Sequence, residues 1–400
     1  MSDLVGRRGA TPRGVATTGP AILSYGFRPF FLAAGTFALL SMPVWLGALT
    51  FGWEVGGATY GPLAWHAHEM LFGYTVAALA GFMLTAIPNW TGRLPVSGFP
   101  LLGLILTWLA GRLAMLQPEL LGLYPAAAID AAFLPLLAAI AGREIVAGRN
   151  WKNLKILGAL VGLGAVDLTF HALVLTGGDA AVALRAGVAL FVVLVGLVGG
   201  RIIPSFTRNW LVKAGSSMLP VPFGRFDLIA MLTLVAALIA WTALPGSLPA
   251  AGLAALAAVL HLARLWRWRG AGTIDELMVL VLHLAYLFIP IGLAGIVLEA
   301  IGLLSRASVL HIFTVGVIGL TTLAVMTRAS RGHTGRKLEA SLPTSASYLA
   351  LLLAAVLRPL AELLPVHYHL ILEVAGTAWI VAFTLFVCEY GPMLVRAKRR

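Results

Sequence analysis

Long apolar runs recur along the chain at a spacing that fits membrane-spanning helices. A bilayer core about 30 Å thick is crossed by about 20 helical residues, because each residue rises 1.5 Å. Twelve such runs begin near residues 29, 64, 99, 124, 155, 181, 227, 248, 277, 306, 344 and 370. These runs are far too long for barrel strands, and backbone polar groups in lipid must be paired within the segment. The pattern therefore predicts twelve transmembrane helices.

The composition agrees with this pattern. Hydrophobic residues make up 60% of the 400 residues, charged residues make up only 11%, and the mean hydropathy is +0.94. Soluble domains contain about 25% charged residues. We predict an all-α polytopic membrane protein with a cytoplasmic N-terminal segment (1–26), a twelve-helix transmembrane domain (27–394) and a basic cytoplasmic tail (395–400). The first 20 residues lack an apolar core, so no cleavable signal is expected.

Positive charge is concentrated on one side of the predicted helices. Of the 28 lysines and arginines, 24 precede helix 1, follow an even-numbered helix or lie in the tail. The positive-inside rule then predicts that both termini are cytoplasmic. The net charge of +12 is spread over short loops along this face, which argues against a nucleic-acid partner and indicates anionic membrane lipid instead.

Three even-numbered helices end in similar polar strings. Helix 2 ends in IPNWTGR (87–93), helix 6 in GGRIIPSFTRNW (199–210) and helix 10 in MTRASRGHTGR (326–336). These helices are four apart, which indicates three pseudo-repeated four-helix units. Polar residues that cap helices are common, so each string alone carries little weight.

The string WHAHEM (65–70) puts costly polar side chains at the start of helix 2, and an intramembrane ionisable residue marks a functional site by default. Four histidines from three helices are predicted at one depth near the outer surface: His66, His68, His171 and His311. Acidic residues predicted near them are Glu69, Asp130, Asp167 and Glu373. Asp167 and His171 share a helical face, as a carboxylate and the ligating imidazole that it supports commonly do.

The donor types narrow the choice of metal. The chain has one cysteine, Cys388, which excludes a multi-thiolate site and leaves haem iron and histidine-ligated copper as candidates. His66 and His68 point to nearly opposite helix faces, so two neighbouring sites are expected, and His66 shares its face with the thioether of Met70. The alternatives are a structural hydrogen bond and, for His367 and His369, a position among lipid headgroups.

Five strings resemble the NnrS family of bacterial membrane proteins: YGFRPFFL (25–32), WHAHEM (65–70), PNWTGRLP (88–95), IPSFTRNW (203–210) and MTRASRGHTGR (326–336). The resemblance implies a twelve-helix inner-membrane protein that contains haem and copper and is linked to nitric oxide metabolism and to protection against nitrosative stress. The outline is also similar to the catalytic subunit of haem–copper oxidases, but the chain lacks their paired-histidine pattern on the later helices.

We predict that His311 and one of His66 and His68 are the axial ligands of a b-type haem, with His283 as the alternative iron ligand. The other histidine of helix 2 would form a copper site with His171. A second polar site is predicted on the cytoplasmic side, where arginines would hold haem propionates; its members are Arg93, Arg201, Arg208, Arg328 and Arg336, with His333. The alternative role of these arginines is to fix topology and to contact lipid headgroups.

The leading hypothesis is a haem and copper protein that binds, senses or turns over nitric oxide. Whether it is an enzyme, such as an oxidoreductase acting on nitric oxide, is left open, and its electron donor is unknown. The alternative is a secondary transporter, which also has about twelve helices and buried polar residues.

Overall fold

The computed structural model describes residues 19–397, and the long elements of this region are helices. The predicted ends of the chain, 1–18 and 398–400, lie outside the described residues. The twelve long helices are α1 (Phe27–Phe51), α2 (Gly57–Thr91), α3 (Phe99–Ala114), α4 (Leu123–Ala147), α5 (Leu154–Leu175), α6 (Ala181–Lys213), α7 (Arg225–Ala243), α8 (Leu248–Arg267), α9 (Leu277–Ala300), α10 (Arg306–His333), α11 (Leu342–Leu360) and α12 (Tyr368–Val395). The predicted polytopic helical fold is confirmed.

Eleven of these helices are long and apolar enough to cross a membrane, and α3 is a shorter apolar helix of 16 residues. Eleven predicted starts lie within two residues of the observed ones. The exception is α2, which begins at Gly57 and is interrupted at Gly61, where φ is 71°. Helix resumes at Pro62, whose fixed φ suits a first turn, and the apolar run begins only after this kink. We call the end of the bundle with Arg93, Arg208 and Arg336 the basic end, and the opposite end the histidine end.

The bundle is organised around α2, α6 and α10, which contact one another, and α1 packs against α12 to close the ring of helices. The apolar segment of α2 is 78% buried, whereas that of α1 is 28% buried and faces outward over most of its surface. Polar side chains on α2 are therefore surrounded by other helices and not by lipid. This arrangement fits the three four-helix units indicated by the sequence.

Two of the central helices share an irregular turn. A π-helical turn covers Glu69–Thr75 in α2 and Ile312–Gly319 in α10, in each case directly after a histidine, His68 or His311. The repeated TGR strings also match in conformation, because Gly92 and Gly335 both take positive φ, at 70° and 76°. A π turn rotates the side chains on one side of it relative to those on the other and is frequent at functional sites. The first and third units therefore place a histidine next to the same distortion.

Candidate metal centre

Four buried side chains converge at the histidine end: His68 of α2, Asp130 of α4, and Asp167 and His171 of α5. Each is at most 3% exposed. Each offers a ligand atom that lies within 4.8 Å of all the others. This set, together with Tyr60, Glu69 and Arg112, is called the His68 centre below.

The distances between these ligand atoms are short. The Nε2 atom of His68 lies 3.0 Å from the Oδ1 atom of Asp167 and 3.2 Å from the Oδ2 atom of Asp130. The Nε2 atom of His171 lies 2.9 Å and 3.8 Å from the same two oxygens of Asp130 and Asp167. Ligands about 2.0–2.1 Å from a tetrahedral cation are separated by about 3.3–3.4 Å. The four side chains therefore already have nearly the mutual spacing that a bound cation requires.

The Nδ1 atoms of His68 and His171 also have hydrogen-bond partners. Nδ1 of His68 lies 3.0 Å from Oε1 of Glu69, and Nδ1 of His171 lies 2.8 Å from the hydroxyl of Tyr60. Such partners fix the orientation of a ligating imidazole and raise its basicity. Each imidazole thus directs Nε2 into the space between the two aspartates.

Arg112 of α3 connects the carboxylates. One of its amino groups donates to Oε1 of Glu69 at 2.8 Å, and the other forms an ion pair with Asp130. Gly73 leaves room for the guanidinium, because a Cβ atom there would lie 2.6 Å from Nη1 of Arg112. Gly111 likewise lets α3 approach α4, because its Cβ atom would lie 2.8 Å from Oδ1 of Asp130. Small residues at these two points allow the charged groups to meet inside the bundle.

The charges of the His68 centre do not balance without a further cation. Glu69, Asp130 and Asp167 carry three negative charges when ionised, and Arg112 carries one positive charge, so neutral imidazoles leave a formal charge of about −2. Buried charge without a partner costs several kcal/mol per ion. A divalent cation or protonation of both imidazoles would neutralise the centre, and the convergence of both Nε2 atoms on carboxylate oxygens suits a cation.

His66 and His311 lie apart from this centre, on the side of α2 that faces α1 and α10. The ring of His66 stacks on Trp45 of α1 at 4.3 Å between centroids with an interplanar angle of 15°. Within residues 19–397, the buried Nδ1 atom of His66 has no hydrogen-bond partner. His311 donates from Nδ1 to the carbonyl of Ala307 at 2.7 Å, which leaves its Nε2 atom as the potential ligand. The two histidines of WHAHEM therefore belong to different surroundings.

His283 is not brought to the histidine end. It lies near the start of α9 in the basic half of the bundle, where its Nε2 atom is 2.8 Å from the hydroxyl of Thr207. Its ring packs against Trp268 and the backbone of Gly270. A Cβ atom added to Gly270 would lie only 2.6 Å from Nδ1 of His283. The structure therefore separates His283 from the other candidate metal ligands.

Four of the six candidates at the basic end illustrate how their local surroundings differ. Arg93 follows α2 and forms an ion pair with Glu144, and Arg208 is exposed on α6. His333 ends α10 and packs against the rings of Tyr25 and Phe27. Arg336 lies in the following loop and is half-buried. These residues lie a bundle length away from His66 and His311.

Three outer residues of the sequence analysis are exposed. His367 and His369 lie on the surface at the start of α12, in agreement with a position at the membrane interface. Glu373 is also exposed, so it does not join the other three acidic residues. Its side chain is one turn further along α12 and faces away from the bundle.

Sequence reasoning missed the contributions of Arg112, Tyr60 and the ligand position of Asp130. Arg112 is one of the four basic residues outside the 24 that mark the basic side. It lies in the last turn of α3, where an arginine can also extend to the membrane interface, so its sequence position did not reveal that it is buried against Glu69 and Asp130. Nothing local in the sequence marks Tyr60, which comes close to His171 only through the packing of α2 on α5.

The sequence was compared with models of known protein families. Residues 21–398 match the model of the family described as NnrS protein, which is nearly the whole chain. The chain belongs to the NnrS family. A search of curated proteins finds no match. In this NnrS protein, WHAHEM supplies His68 and Glu69 to the buried centre and turns His66 toward α1.

Proposed function

We propose that this NnrS protein is a haem- and copper-containing inner-membrane protein that binds or turns over nitric oxide and contributes to resistance against nitrosative stress. The observation that carries the proposal is the buried group of two histidines and two aspartates with its unbalanced negative charge. Membership of the NnrS family supports the link to nitric oxide.

Copper fits the donor set of the His68 centre. Two imidazole nitrogens and two carboxylate oxygens suit Cu(II), for which sites of nitrogen and oxygen donors generally have the highest affinity among divalent first-row metals. His68 and His171 would bind the ion through Nε2, Asp130 and Asp167 would neutralise it, and Glu69 and Tyr60 would hold the two rings in place.

Haem fits the pair of His66 and His311. Nδ1 of His66 makes no hydrogen bond within the described residues, and the bond from Nδ1 of His311 to Ala307 leaves Nε2 of His311 as its ligand atom. Both histidines lie on central helices that contact each other. An indole ring on His66 keeps its plane fixed. Haem supplies an iron centre that binds diatomic ligands where an axial position is open or labile. Nitric oxide is therefore the proposed ligand, and the electron donor is unknown.

The proposed test is an absorption spectrum and metal analysis of the purified protein in detergent. We expect His66→Ala and His311→Ala to lose the haem Soret band, and His68→Ala and His171→Ala to lose copper while they retain haem. His369→Ala is the matched control, because this exposed histidine should affect neither cofactor. A normal haem spectrum in His311→Ala would refute the haem assignment, and full copper content in His68→Ala would refute the copper assignment.

The proposed orientation places both termini in the cytoplasm and the basic end against anionic lipid. Reporter fusions in the loop around Lys152 should report a cytoplasmic location. A periplasmic signal from that loop would invert the topology and place the His68 centre on the cytoplasmic side.

A further inference from the structure

Arg358, near the end of α11, lies beside the His66 and His311 pair. Its helix packs against the first turns of α10, which carry His311, and its guanidinium is close enough to act electrostatically on both imidazoles. The position is fixed by a buried hydrogen bond, in which the hydroxyl of Ser308 donates to the carbonyl of Pro359 at 2.8 Å. Since Ser308 is three residues before His311, this bond joins the first turns of α10 to the residue next to Arg358.

The guanidinium of Arg358 is incompletely paired. Its Nη1 atom is buried and, within the described residues, makes no hydrogen bond. The nearest carboxylate oxygen, Oε1 of Glu362, is 3.8 Å from Nη1, too far for a hydrogen bond. The side chain of Glu362 is also 27% exposed, and Tyr368 offers only a neutral hydroxyl. A buried guanidinium atom without an acceptor costs about 1–3 kcal/mol or more, so a missing acceptor is indicated.

Two imidazoles and one incompletely paired guanidinium form a specific combination. The imidazoles offer nitrogen ligands to a metal, and the guanidinium is a planar donor that binds carboxylates in bidentate geometry. Haem carries both complementary groups, an iron at its centre and two propionate carboxylates at its edge. We propose that Arg358 anchors a propionate of the haem held by His66 and His311. This inference rests on the proposed function and assigns the anion-binding role to the histidine end instead of to Arg93, Arg208 and Arg336.

The test compares the binding of haem with that of its dimethyl ester, in which the propionates carry no charge. The full-length apoprotein in detergent would be titrated with each porphyrin, for the wild type, Arg358→Gln and Arg185→Gln. Arg185 is the matched control, because it is another arginine at the histidine end whose Nη1 atom is buried and makes no hydrogen bond within the described residues, but it lies on α6 near Thr242. Wild type should bind haem about 10- to 100-fold more tightly than the diester, as expected for a hydrogen bond to a charged group.

In Arg358→Gln this preference for haem should disappear, whereas binding of the diester should stay unchanged. Arg185→Gln should keep the full preference, and Arg358→Lys should recover part of it. The midpoint potential of bound haem should fall in Arg358→Gln, because a positive charge near the iron favours the reduced state, and it should not change in Arg185→Gln.

Three results would overturn the inference in different ways. A full preference for haem in Arg358→Gln would assign the propionates to other residues. Equal binding of both porphyrins by the wild type, with a shift of the Soret band by added nitrite only when Arg358 is present, would assign the guanidinium to a free anion. A wild type that binds neither porphyrin would refute the proposed haem site itself.

Discussion

The His68 centre at the histidine end and a second cluster at the basic end contain the same kinds of buried side chain. The second cluster, called the Arg264 cluster, consists of Asp227 on α7, His261 and Arg264 on α8, and Tyr286 on α9. Arg264 and His261 are at most 1% exposed, as buried as His68. Each cluster joins histidine to aspartate, arginine and tyrosine within a helical bundle.

The two clusters differ in how their hydrogen bonds and charges are completed. Arg264 donates to Asp227 at 2.9 Å, and its Nη1 atom also donates to the hydroxyl of Tyr286 at 2.8 Å. Tyr286 in turn donates to Nδ1 of His261, whose Nε2 atom donates to the carbonyl of Ala230 at 3.0 Å. One aspartate balances one arginine, and both nitrogens of the histidine are used.

The difference shows which feature distinguishes a candidate site from a structural network. In the Arg264 cluster, the histidine binds neutral partners, and no cation is needed. In the His68 centre, one arginine contacts two of the three carboxylates, and two histidines direct Nε2 toward the same oxygens. The two clusters share residue types and burial. Charge balance and the direction of the ring nitrogens therefore identify the His68 centre as the candidate metal site and the Arg264 cluster as a structural network.

The largest expected effect is a loss of stability when the ion pair of the Arg264 cluster is broken. Arg264→Ala leaves the carboxylate of Asp227 buried without its main partner, which should cost about 3–5 kcal/mol in unfolding free energy. Metal content per folded molecule should stay at the wild-type level. Unfolding in mixed micelles and metal analysis of the folded fraction would measure both.

Arg267→Ala provides the control for that experiment. Arg267 is also close to Asp227, at 3.9 Å, but its side chain is 32% exposed, so its loss should cost at most about 1 kcal/mol. Equal destabilisation by the two substitutions would contradict a structural role for the buried pair. Loss of metal in Arg264→Ala would show that the two clusters are not independent.

An intermediate effect is expected when the same hydroxyl is removed from each cluster. Tyr60 lies 2.8 Å from Nδ1 of His171, and Tyr286 lies 2.8 Å from Nδ1 of His261. Tyr60→Phe should weaken metal affinity about 10- to 100-fold, because it removes the partner that orients a ligand. Tyr286→Phe should cost about 1–3 kcal/mol in stability and leave metal affinity unchanged.

Metal titration and unfolding of both variants would measure this pair of effects. If Tyr60→Phe lowered only stability, Tyr60 would be a structural partner like Tyr286, and the comparison of the clusters would fail. If Tyr286→Phe weakened metal affinity, the metal would be bound nearer to the basic end.

The smallest expected effect on metal affinity concerns the approach of α3 to α4. Gly111→Ala would place a Cβ atom 2.8 Å from Oδ1 of Asp130, so the helices must separate slightly, at a cost of about 1–3 kcal/mol and with a fewfold loss of metal affinity. Gly103→Ala on the same helix meets no atom within 4 Å and should stabilise α3 by up to about 1 kcal/mol. In thermal unfolding, Gly111→Ala should lower the melting temperature and Gly103→Ala should raise it. Equal shifts in the two variants would show that close packing at Gly111 is not the cause of the destabilisation.

The fold was largely predictable because its signal is local. A run of about 20 apolar residues forms a helix in lipid whatever its neighbours are, since backbone groups have no other partners there. This is why eleven helix starts agree within two residues, and why the first turn of α2, which precedes the kink at Gly61 and the apolar run, produced the one large difference. The opposite faces of His66 and His68 also follow from helical geometry alone.

The membership of the His68 centre depended on contacts between distant parts of the chain. Asp167 and His171 were recognisable as a pair because they are one turn apart, but Asp130 and Arg112 reach them only through the packing of α3, α4 and α5. Arg358 had no sequence signal that distinguished it from Arg185 or Arg306. Its position beside His66 and His311 follows from the contact between α10 and α11.

The sequence by itself determined the helical membrane fold, the order of the helices and the position of each histidine along its helix, because hydropathy and helical rise act along the chain. Only the tertiary structure decided which side chains meet. It brought Trp45 against His66, joined three carboxylates and one arginine around the imidazoles of His68 and His171, and placed His283 with Thr207 far from both groups. The physical reason is that charge balance and ligand geometry are properties of side chains from several helices, and no single segment contains them.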